Sequence, residues 1–219
     1  MAKVARICVG EFKNKFFKKI DYSYFDISGV EILDITIKAE KYKNRLNKFL
    51  KKNGVKYAVA PFDTDVASVY GKELIRNIYP EIIKRYAKTY AGCLSVSVYS
   101  DRLDEMARSV IFDLCDKFKY ISVFTSDYNK DKFFDEVLSV KGVMPLSVSE
   151  NENEPTFVLS GDLPGRKNIV DLRCGTDIKI YTPDKKVISS ALCEAVIKAK
   201  SKGESDMREE FLRLGYKVI

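Results

Sequence analysis

The chain has 219 residues, of which 46% are hydrophobic, so it can bury a core of ordinary size. Its complete lack of histidine excludes the usual catalytic triads and histidine metal sites, and it removes the commonest general base. The excess behind its net charge of +7 lies in residues 1–56, which hold 14 Lys and Arg against 6 Asp and Glu, whereas residues 57–219 hold 24 against 25. This imbalance indicates either a site for nucleic acid or another anion, or a lysine-rich surface in contact with water, and we favour the surface.

Export, membrane insertion and disulfide bonds are not expected. The sequence has no apolar run of about 18 residues, and its first residues lack the apolar segment of a secretory signal. The cysteines are odd in number, widely spaced and mostly surrounded by apolar residues; they are Cys8, Cys93, Cys115, Cys174 and Cys193. We therefore expect a cytoplasmic protein with no metal site and no membrane partner.

The first 91 residues are predicted to form a small α/β unit. Strands are predicted at 4–9 and 29–37, a helix at 39–52 and a further strand at 57–60. The helix would join two parallel strands as the crossover of a β-α-β unit, and Asn53-Gly54 would end it.

The pattern from Thr64 to Tyr90 is helical, but Pro80 lies inside it. Because proline is tolerated in the first turn of a helix and not in its interior, we expect a kink or two helices that meet near Ile78 and Tyr79. Ala91-Gly92 then predicts the boundary to the next domain.

Residues 92–186 alternate between strands and helices in the manner of a doubly wound parallel sheet. The predicted elements are strand 94–99, helix 103–118, strand 120–125, helix 132–140 and strands 143–149, 156–159, 168–172 and 178–181. Helices at 187–200 and 204–214 would pack back as a C-terminal segment, residues 187–219. The expected fold is thus α/β, a Rossmann-like parallel sheet with a smaller N-terminal α/β unit and C-terminal helices.

Residues at the ends of two of these strands resemble those of a known group of proteins. Thr125-Ser126-Asp127 stands at the end of strand 120–125, and residues 157–164, a strand and the loop after it, read Phe-Val-Leu-Ser-Gly-Asp-Leu-Pro. In these features and in the strand-like run 169–172, the chain resembles the cofactor domain of the shikimate dehydrogenase and glutamyl-tRNA reductase group of Rossmann proteins. The resemblance implies that residues 157–164 pass beside a nicotinamide, and that NAD or NADP serves an oxidoreductase reaction.

The first strand-to-helix turn departs from that group. Dinucleotide-binding domains have G-x-G-x-x-G there, because glycines let backbone N–H groups approach the pyrophosphate. Here residues 99–105 read Tyr-Ser-Asp-Arg-Leu-Asp-Glu, and residues 93–140 contain no glycine. Three carboxylates would repel a diphosphate, whereas a helix N-cap at Ser100 or Asp101, with acids in the first turn, explains the sequence by helix stability alone. We therefore expect no cofactor.

The N-terminal unit departs from the group as well. Residues 59–63 faintly resemble the shikimate dehydrogenase loop that ends in a catalytic lysine, but Asp63 stands at the lysine position. Asp63 and Asp65 are candidates for a general acid or base at a strand end, although capping of the next helix by Thr64 or Asp65 is the commoner explanation. No residue is therefore assigned a catalytic role.

A ligand site would lie beyond the carboxyl ends of the strands, where open α/β sheets bind their ligands. The residues expected there are Ser100, Thr125, Asp127, Ser160, Gly161 and Asp162. Asp127 suits either a ribose hydroxyl or a helix cap, and we favour the cap. The stretch 160–167 combines two glycines with basic residues, which suits either a bound anion or a surface turn, and we favour the turn.

Aromatic residues lie between the lysines of the basic first quarter. This pattern suits either phosphate contacts with base stacking or core residues with solvated neighbours, and we favour the core. The residues concerned are Phe12, Lys15, Phe16, Phe17, Lys18, Lys19, Lys41, Lys48, Phe49, Lys51 and Lys52.

Three hypotheses for the function follow. The leading one is a Rossmann-like protein without dinucleotide-dependent catalysis, which acts through a protein partner or a small ligand and is not expected to be an enzyme. The alternative is an NAD(P)-dependent oxidoreductase resembling shikimate dehydrogenase. The second alternative, which we do not favour, is a binder of nucleic acid or another anion through the basic N-terminal quarter.

Overall fold

The structure is a computed structural model that describes residues 3–10, 20–147, 153–173, 175, 177–201 and 206–219. Its contacts divide the chain into two compact units. Unit 1 comprises residues 1–74 and 179–217, and unit 2 comprises residues 75–178 with residues 218 and 219. Unit 1 is therefore assembled from two distant parts of the chain. The domain ranges predicted from the sequence, 1–91, 92–186 and 187–219, place the first boundary further along the chain.

Unit 1 contains a mixed sheet of the strands β1 (Lys3–Val9), β2 (Ile20–Ile27), β3 (Val30–Ile37), β4 (Val55–Val59) and β5 (Ala67–Ser68). They lie in the order β2-β3-β1-β4-β5. β1 pairs in parallel with β3 and β4, β4 pairs in parallel with β5, and β2 pairs antiparallel with β3. The predicted parallel β-α-β connection is present, with β1 between its two strands.

A tight turn at Ser28 and Gly29 joins β2 to β3. Both residues have positive φ, 52° and 79°, which is the backbone geometry that matches the twist of a hairpin. The Gly29 N–H donates to the Asp26 carboxylate at 2.8 Å. β2 was not predicted from the sequence, because its residues do not alternate cleanly between apolar and polar.

Helix α1 (Lys43–Lys52) follows a 3-10 turn at Glu40–Tyr42 and packs on this sheet. Leu46 and Leu50 are fully buried in a cluster with Leu33 and Ile35 of β3. The basic residues of α1 lie mostly on its exposed side. The helix predicted at 39–52 is thus present as the 3-10 turn and α1, and it ends before Gly54, as predicted.

Helix α2 (Lys72–Thr89) is continuous through Pro80, which excludes two separate helices there. The helix does not begin at Thr64 as predicted, because Ala67 and Ser68 form β5 and Gly71 has a φ of 85°. Thr64 instead bonds within its own loop, and its hydroxyl donates to the Val66 carbonyl at 3.0 Å. The predicted capping of this helix by Thr64 or Asp65 is therefore wrong.

Unit 2 contains a parallel sheet of the strands β6 (Ser95–Tyr99), β7 (Tyr120–Phe124), β8 (Thr156–Val158) and β9 (Ile169–Asp171). They lie in the order β7-β6-β8-β9. Leu146 forms a parallel bridge to Ser122 of β7. This bridge stands where strand 143–149 was predicted, and residues 148 and 149 lie outside the described residues. Counted in chain order with Leu146 as the third member, the sheet reads 3-2-1-4-5, the order of a Rossmann-like fold.

Helices α3 (Glu105–Cys115) and α4 (Lys130–Lys141) connect these strands. The buried residues of α3 are Ala107, Val110, Ile111 and Leu114, which lie on one face of the helix. Asp104 is the N-cap, and its carboxylate accepts a hydrogen bond from the Ala107 N–H at 2.9 Å. The N-cap predicted at Ser100 or Asp101 is therefore wrong, because the turn after β6 extends further before the helix begins.

Residues 179–217 belong to unit 1. The elements from residue 179 onward are β10 (Lys179–Tyr181), β11 (Val187–Ser189), α5 (Ser190–Lys200), α6 (Met207–Arg213) and β12 (Lys217–Val218). The three strands form a small sheet in the order β11-β10-β12, and α5 packs on β1, β3 and β4. The helix predicted from Val187 begins only at Ser190, because residues 187–189 pair with β10.

Most aromatic and basic residues singled out near the N-terminus, and one cysteine, lie outside the described residues. They are Phe12, Lys15, Phe16, Phe17, Lys18, Lys19 and Cys174. The other cysteines, Cys8, Cys93, Cys115 and Cys193, are free. Burial raises the pKa of the Cys115 thiol to about 11 and that of Cys193 well above its ordinary value. Among the described helices, none has the length and apolar character needed to cross a bilayer.

Candidate functional site

A cavity of about 350 Å³ opens at the carboxyl ends of β6, β7 and β8. Open α/β sheets bind ligands at this edge, and β6 and β8 flank the point where the strand order reverses. Of the six residues predicted for a site, Ser100, Thr125, Ser160 and Asp162 line the cavity. The other lining residues are Tyr99, Asp101, Val123, Phe124, Ser126, Lys130 and Ser147. The lining is rich in hydroxyl groups and carries two carboxylates and one ammonium group.

Hydroxyl groups cross-link the turns that follow β6, β7 and β8. The Ser160 hydroxyl accepts a hydrogen bond from the Asp101 N–H at 2.7 Å and lies 3.1 Å from the Ser100 hydroxyl. The Ser100 hydroxyl donates to the Arg102 carbonyl at 2.7 Å. The Thr125 hydroxyl donates to the Asp101 carbonyl at 3.4 Å. The turn after β6 is therefore held by both neighbouring loops.

Backbone N–H groups in and after the same turn are bonded to side-chain oxygen atoms of the protein. In addition to the N–H bonded to Ser160, that of Leu103 donates to the Asp127 carboxylate and that of Ala107 to the Asp104 carboxylate, each at 2.9 Å. In dinucleotide-binding domains, N–H groups of this region face the pyrophosphate. Two carboxylates here occupy positions at which such a domain accepts an anion.

Asp127 lies next to the cavity and is hydrogen-bonded to the turn after β6 and to the turn before α4. Its carboxylate accepts hydrogen bonds from the Leu103 and Asn129 N–H groups, both at 2.9 Å. These hydrogen bonds, that from Leu103 most strongly, lower the pKa of Asp127. Asn129 is the N-cap residue of α4, so Asp127 bonds the turn before the helix and is not its cap. Asp127 therefore orders the site without lining it.

Replacing Asp127 by asparagine is expected to change how stability depends on pH. Because the pKa of Asp127 is lower in the folded than in the unfolded chain, its contribution is complete above the unfolded value and is lost as the pH falls through the folded value. Urea unfolding midpoints measured from about pH 6 to about pH 2 should show the wild type losing its advantage over Asp127→Asn below about pH 4. A stability difference that stays constant over that range would contradict the assignment.

A buried ion pair lies behind two aromatic side chains of the cavity. The Arg166 guanidinium lies 5.6 Å from the Tyr99 ring centroid and 5.3 Å from that of Phe124, and its Nε donates to the Tyr99 hydroxyl at 3.1 Å. Its Nη1 is 3.1 Å from the carboxylate of Glu154, whose side chain is 2% exposed. The Ser97 hydroxyl donates to the same carboxylate. The pair connects the loop after β8 to the sheet.

This pair was not predicted from the sequence. In the sequence, Arg166 belongs to the stretch 160–167, which suits a surface turn or a bound anion, and Glu154 is the last of three acids in residues 150–154. The sequence contains only a weak indication that Glu154 is buried: it lies directly before a proline and the buried strand β8. Lys130, Ser126 and Ser147 were also missed, because nothing in the spacing of residues places them beside Ser160.

Gly161 allows close contact between the loop after β8 and the turn after β6. Its φ is 80°, and a Cβ atom at this position would lie within 3.0 Å of the Asp101 carboxyl group. The Gly161 carbonyl accepts a hydrogen bond from Arg173 Nη1 at 2.6 Å. Arg173 also pairs with Asp171 at 2.9 Å. Burial alone would raise the pKa of Asp171, but its bonds to Arg173 hold that pKa below its usual value.

Asp63 and Asp65, the other predicted acids, lie in unit 1 in the loop between β4 and β5. The Tyr70 hydroxyl donates to Asp63, and this hydrogen bond raises the pKa of Tyr70. The Asp65 carboxylate lies 2.7 Å from both Asn47 Nδ2 and Lys51 Nζ of α1. Both carboxylates thus have partners that hold this loop in place.

The cavity can hold a polar molecule by hydrogen bonds and by charge. Its lining offers serine and threonine hydroxyls, the carboxylates of Asp101 and Asp162, and the Lys130 ammonium group. Among the residues that the structure describes, no three or more His, Cys, Asp or Glu side chains are placed to hold a metal ion.

Comparison with known proteins gives weak structural matches. No protein-family model and no curated protein matches the chain. Among solved structures, it is similar to a shikimate 5-dehydrogenase-like protein, with a TM-score of 0.26 and 10% identity over 73% of this chain and 66% of that one. It is also similar to the catalytic subunit of the aspartate transcarbamoylase of M. jannaschii, with a TM-score of 0.26 and 9% identity over 72% of this chain and 60% of that one. The chain thus spans less than two thirds of either protein.

Proposed function

We propose that this protein binds a small polar ligand without a diphosphate in the cavity above β6, β7 and β8. The observation that carries the proposal is the bonding of the turn after β6. Its Leu103 N–H and the Ala107 N–H of the following helix donate to the carboxylates of Asp127 and Asp104. A pyrophosphate would have to displace these carboxylates and remain beside them.

The charge of the lining supports a ligand that is not a dinucleotide. Asp101 and Asp162 carry two negative charges, and Lys130 carries one positive charge. At a separation of a few ångströms, each contact between like charges costs on the order of 1 kcal/mol or more. A diphosphate would meet that cost twice, whereas an uncharged or zwitterionic molecule would not.

The size and chemistry of the cavity indicate the class of ligand. Its volume of about 350 Å³ suits one metabolite of the size of a sugar, a polyol or an amino acid. Hydroxyl or ammonium groups of the ligand would donate to Asp101 and Asp162, and an acceptor oxygen would face Lys130. Because the serine hydroxyls both donate and accept, they suit such a ligand better than an apolar one.

A thermal-shift titration tests this proposal. NAD, NADP and their reduced forms are expected to leave the melting temperature unchanged, whereas a member of a panel of sugars, polyols and amino acids should raise it with saturation. A ligand at 100 times its dissociation constant stabilises the fold by about 2.7 kcal/mol. A saturable shift with a dinucleotide would support the oxidoreductase alternative instead.

The double replacement Asp101→Asn and Asp162→Asn is expected to weaken binding of that ligand at least about tenfold, because two charge-assisted hydrogen bonds become neutral ones. The matched control is Asp135→Asn, which removes an exposed carboxylate of α4 outside the cavity lining. Calorimetric titration of the wild type, the double variant and the control measures the difference in affinity. Equal affinities would place the ligand elsewhere.

A further inference from the structure

Unit 1 exposes aromatic rings along β2, at one edge of its described sheet. Tyr22 and Tyr24 are 51% and 47% exposed, and their ring centroids lie 5.8 Å apart. The Tyr22 ring also contacts that of Phe49 on α1, at 5.0 Å between centroids. We call Tyr22, Tyr24 and Phe49 the aromatic strip. Single exposed tyrosines are ordinary on a protein surface, but these three adjoining rings, at interplanar angles of 80° and 47°, form a continuous aromatic surface.

The aromatic strip lies along one side of α1. Tyr22 is paired with Ile35 and Tyr24 with Leu33, on the side of the sheet that α1 covers. Tyr22 contacts Phe49, and the Tyr24 hydroxyl lies 3.5 Å from the Asn53 side chain at the end of α1. β2 therefore runs beside α1, with its tyrosines at the margin of the helix.

The adjoining surface of α1 is strongly basic. The ten residues 43–52 include five Lys or Arg and no Asp or Glu. Arg45 and Lys52 stand four residues before and three residues after Phe49, so both lie on its side of the helix. Lys48 is exposed next to Phe49, and the Lys3 ammonium group lies 5.6 Å from the Tyr24 ring centroid.

Two acids near α1 and the aromatic strip pair with other basic residues. Asp65 pairs with Lys51, and Glu31 pairs with Lys3. Within the part of the chain that the structure describes, Arg45, Lys48 and Lys52 form no such ion pair. Among the described residues, no acid neutralises these three cations beside the aromatic strip, so an external anion can contact them.

We infer that the aromatic strip and the cations Arg45, Lys48 and Lys52 bind single-stranded nucleic acid. Bases stack on exposed aromatic rings whatever their sequence, while basic side chains contact the phosphates that join them. Paired bases in a duplex do not present their faces, so the tyrosines favour a single strand. Vesicles are compared in the same assays, because aromatic rings beside basic residues also occur at lipid interfaces. The inference is independent of the ligand cavity in unit 2.

Fluorescence anisotropy with labelled oligouridine and oligothymidine of about 12 nucleotides tests this inference on the full chain. Binding is expected to be insensitive to base sequence and to weaken with salt at a logarithmic slope of about −2, as three phosphate contacts on a single strand require. The double replacement Lys48→Ala and Lys52→Ala should reduce that slope by about 1.4. A slope near zero would overturn the inference.

Replacing Tyr22 and Tyr24 by leucine should weaken binding by about 5- to 150-fold for each ring that stacks on a base. Replacing both by phenylalanine keeps the rings and should retain the affinity, which separates stacking from a change in folding. Tyr128→Ala is the matched control, because that tyrosine is 92% exposed in unit 2. Of these three tyrosine variants, only the leucine variant is expected to lose affinity for the oligonucleotide.

Other occupants of this surface give different results in the same assays. Tighter binding to a duplex of equal length, or to vesicles of phosphatidylserine and phosphatidylcholine, would overturn the inference in favour of a general anionic surface. Self-association in sedimentation that the leucine variant abolishes, without oligonucleotide binding, would assign the strip to a second copy of the chain. Binding that the leucine variant leaves unchanged would also contradict the inference.

Discussion

Replacing Arg166 by methionine is expected to destabilise unit 2 by about 3–5 kcal/mol. The substitution leaves the Glu154 carboxylate, 2% exposed, without the guanidinium that lies 3.1 Å away. The carboxylate keeps its hydrogen bond from the Ser97 hydroxyl but loses the charge attraction that offsets its desolvation. The substitution of Arg166 also removes the cation that packs on the rings of Tyr99 and Phe124. Urea unfolding followed by fluorescence and circular dichroism would measure the loss.

The double variant Arg166→Met with Glu154→Gln should recover much of that stability, because no buried charge is then left without a partner. Lys141→Met provides the control: it breaks an ion pair with Asp116, whose side chain is 52% exposed, and should cost far less. If Arg166→Met were no more harmful than Lys141→Met, the arginine would not be needed to compensate Glu154.

Replacing Gly71 by alanine is expected to destabilise unit 1 by about 2–5 kcal/mol. The φ of Gly71 is 85°, where an alanine costs about 1–2 kcal/mol. A Cβ atom would also lie 2.6 Å from Ser190 Oγ and 2.9 Å from the Ala191 backbone nitrogen. A backbone atom cannot move aside as a side chain can, so α5 would have to shift, at a further cost of about 1–3 kcal/mol.

Gly54→Ala separates the two contributions. Gly54 has a similar φ of 68° and lies in the same unit, but a Cβ atom at this position would have no neighbouring atom within 4 Å. This variant should lose only the conformational part, about 1–2 kcal/mol. Denaturation midpoints of the two variants measure the difference. Equal losses would mean that α5 accommodates the methyl group without strain.

Periodic apolar residues were sufficient to predict the parallel sheet of unit 2 and the buried side of α3. They failed where local bonding decided the backbone. Residues 64–71 have helical spacing, yet the Thr64 hydroxyl bonds to Val66 and Gly71 takes a positive φ, so the helix begins only at Lys72. β2 was missed because its alternation of apolar and polar residues breaks at Tyr24-Phe25, where two aromatic residues are adjacent.

The position of the cavity was predictable from topology, since parallel strands present their carboxyl ends at one edge. The bonds that decide its chemistry were not. From the sequence, Asp127 was interpreted as a helix cap, and only the structure shows that its carboxylate crosses to the Leu103 N–H of a different turn. Likewise, Arg166 and Glu154 stand in polar loops, and their burial depends on how those loops fold onto β6.

The composition of unit 1 from residues 1–74 and 179–217 has a consequence for the synthesis of the chain. Strands β1, β3 and β4 leave the ribosome long before α5, which packs on all three. Unit 2 is nearly continuous in sequence, so its sheet can form while the surface that α5 later covers is still open. Nascent unit 1 therefore presents apolar strands to the cellular environment for the whole time that unit 2 is being translated.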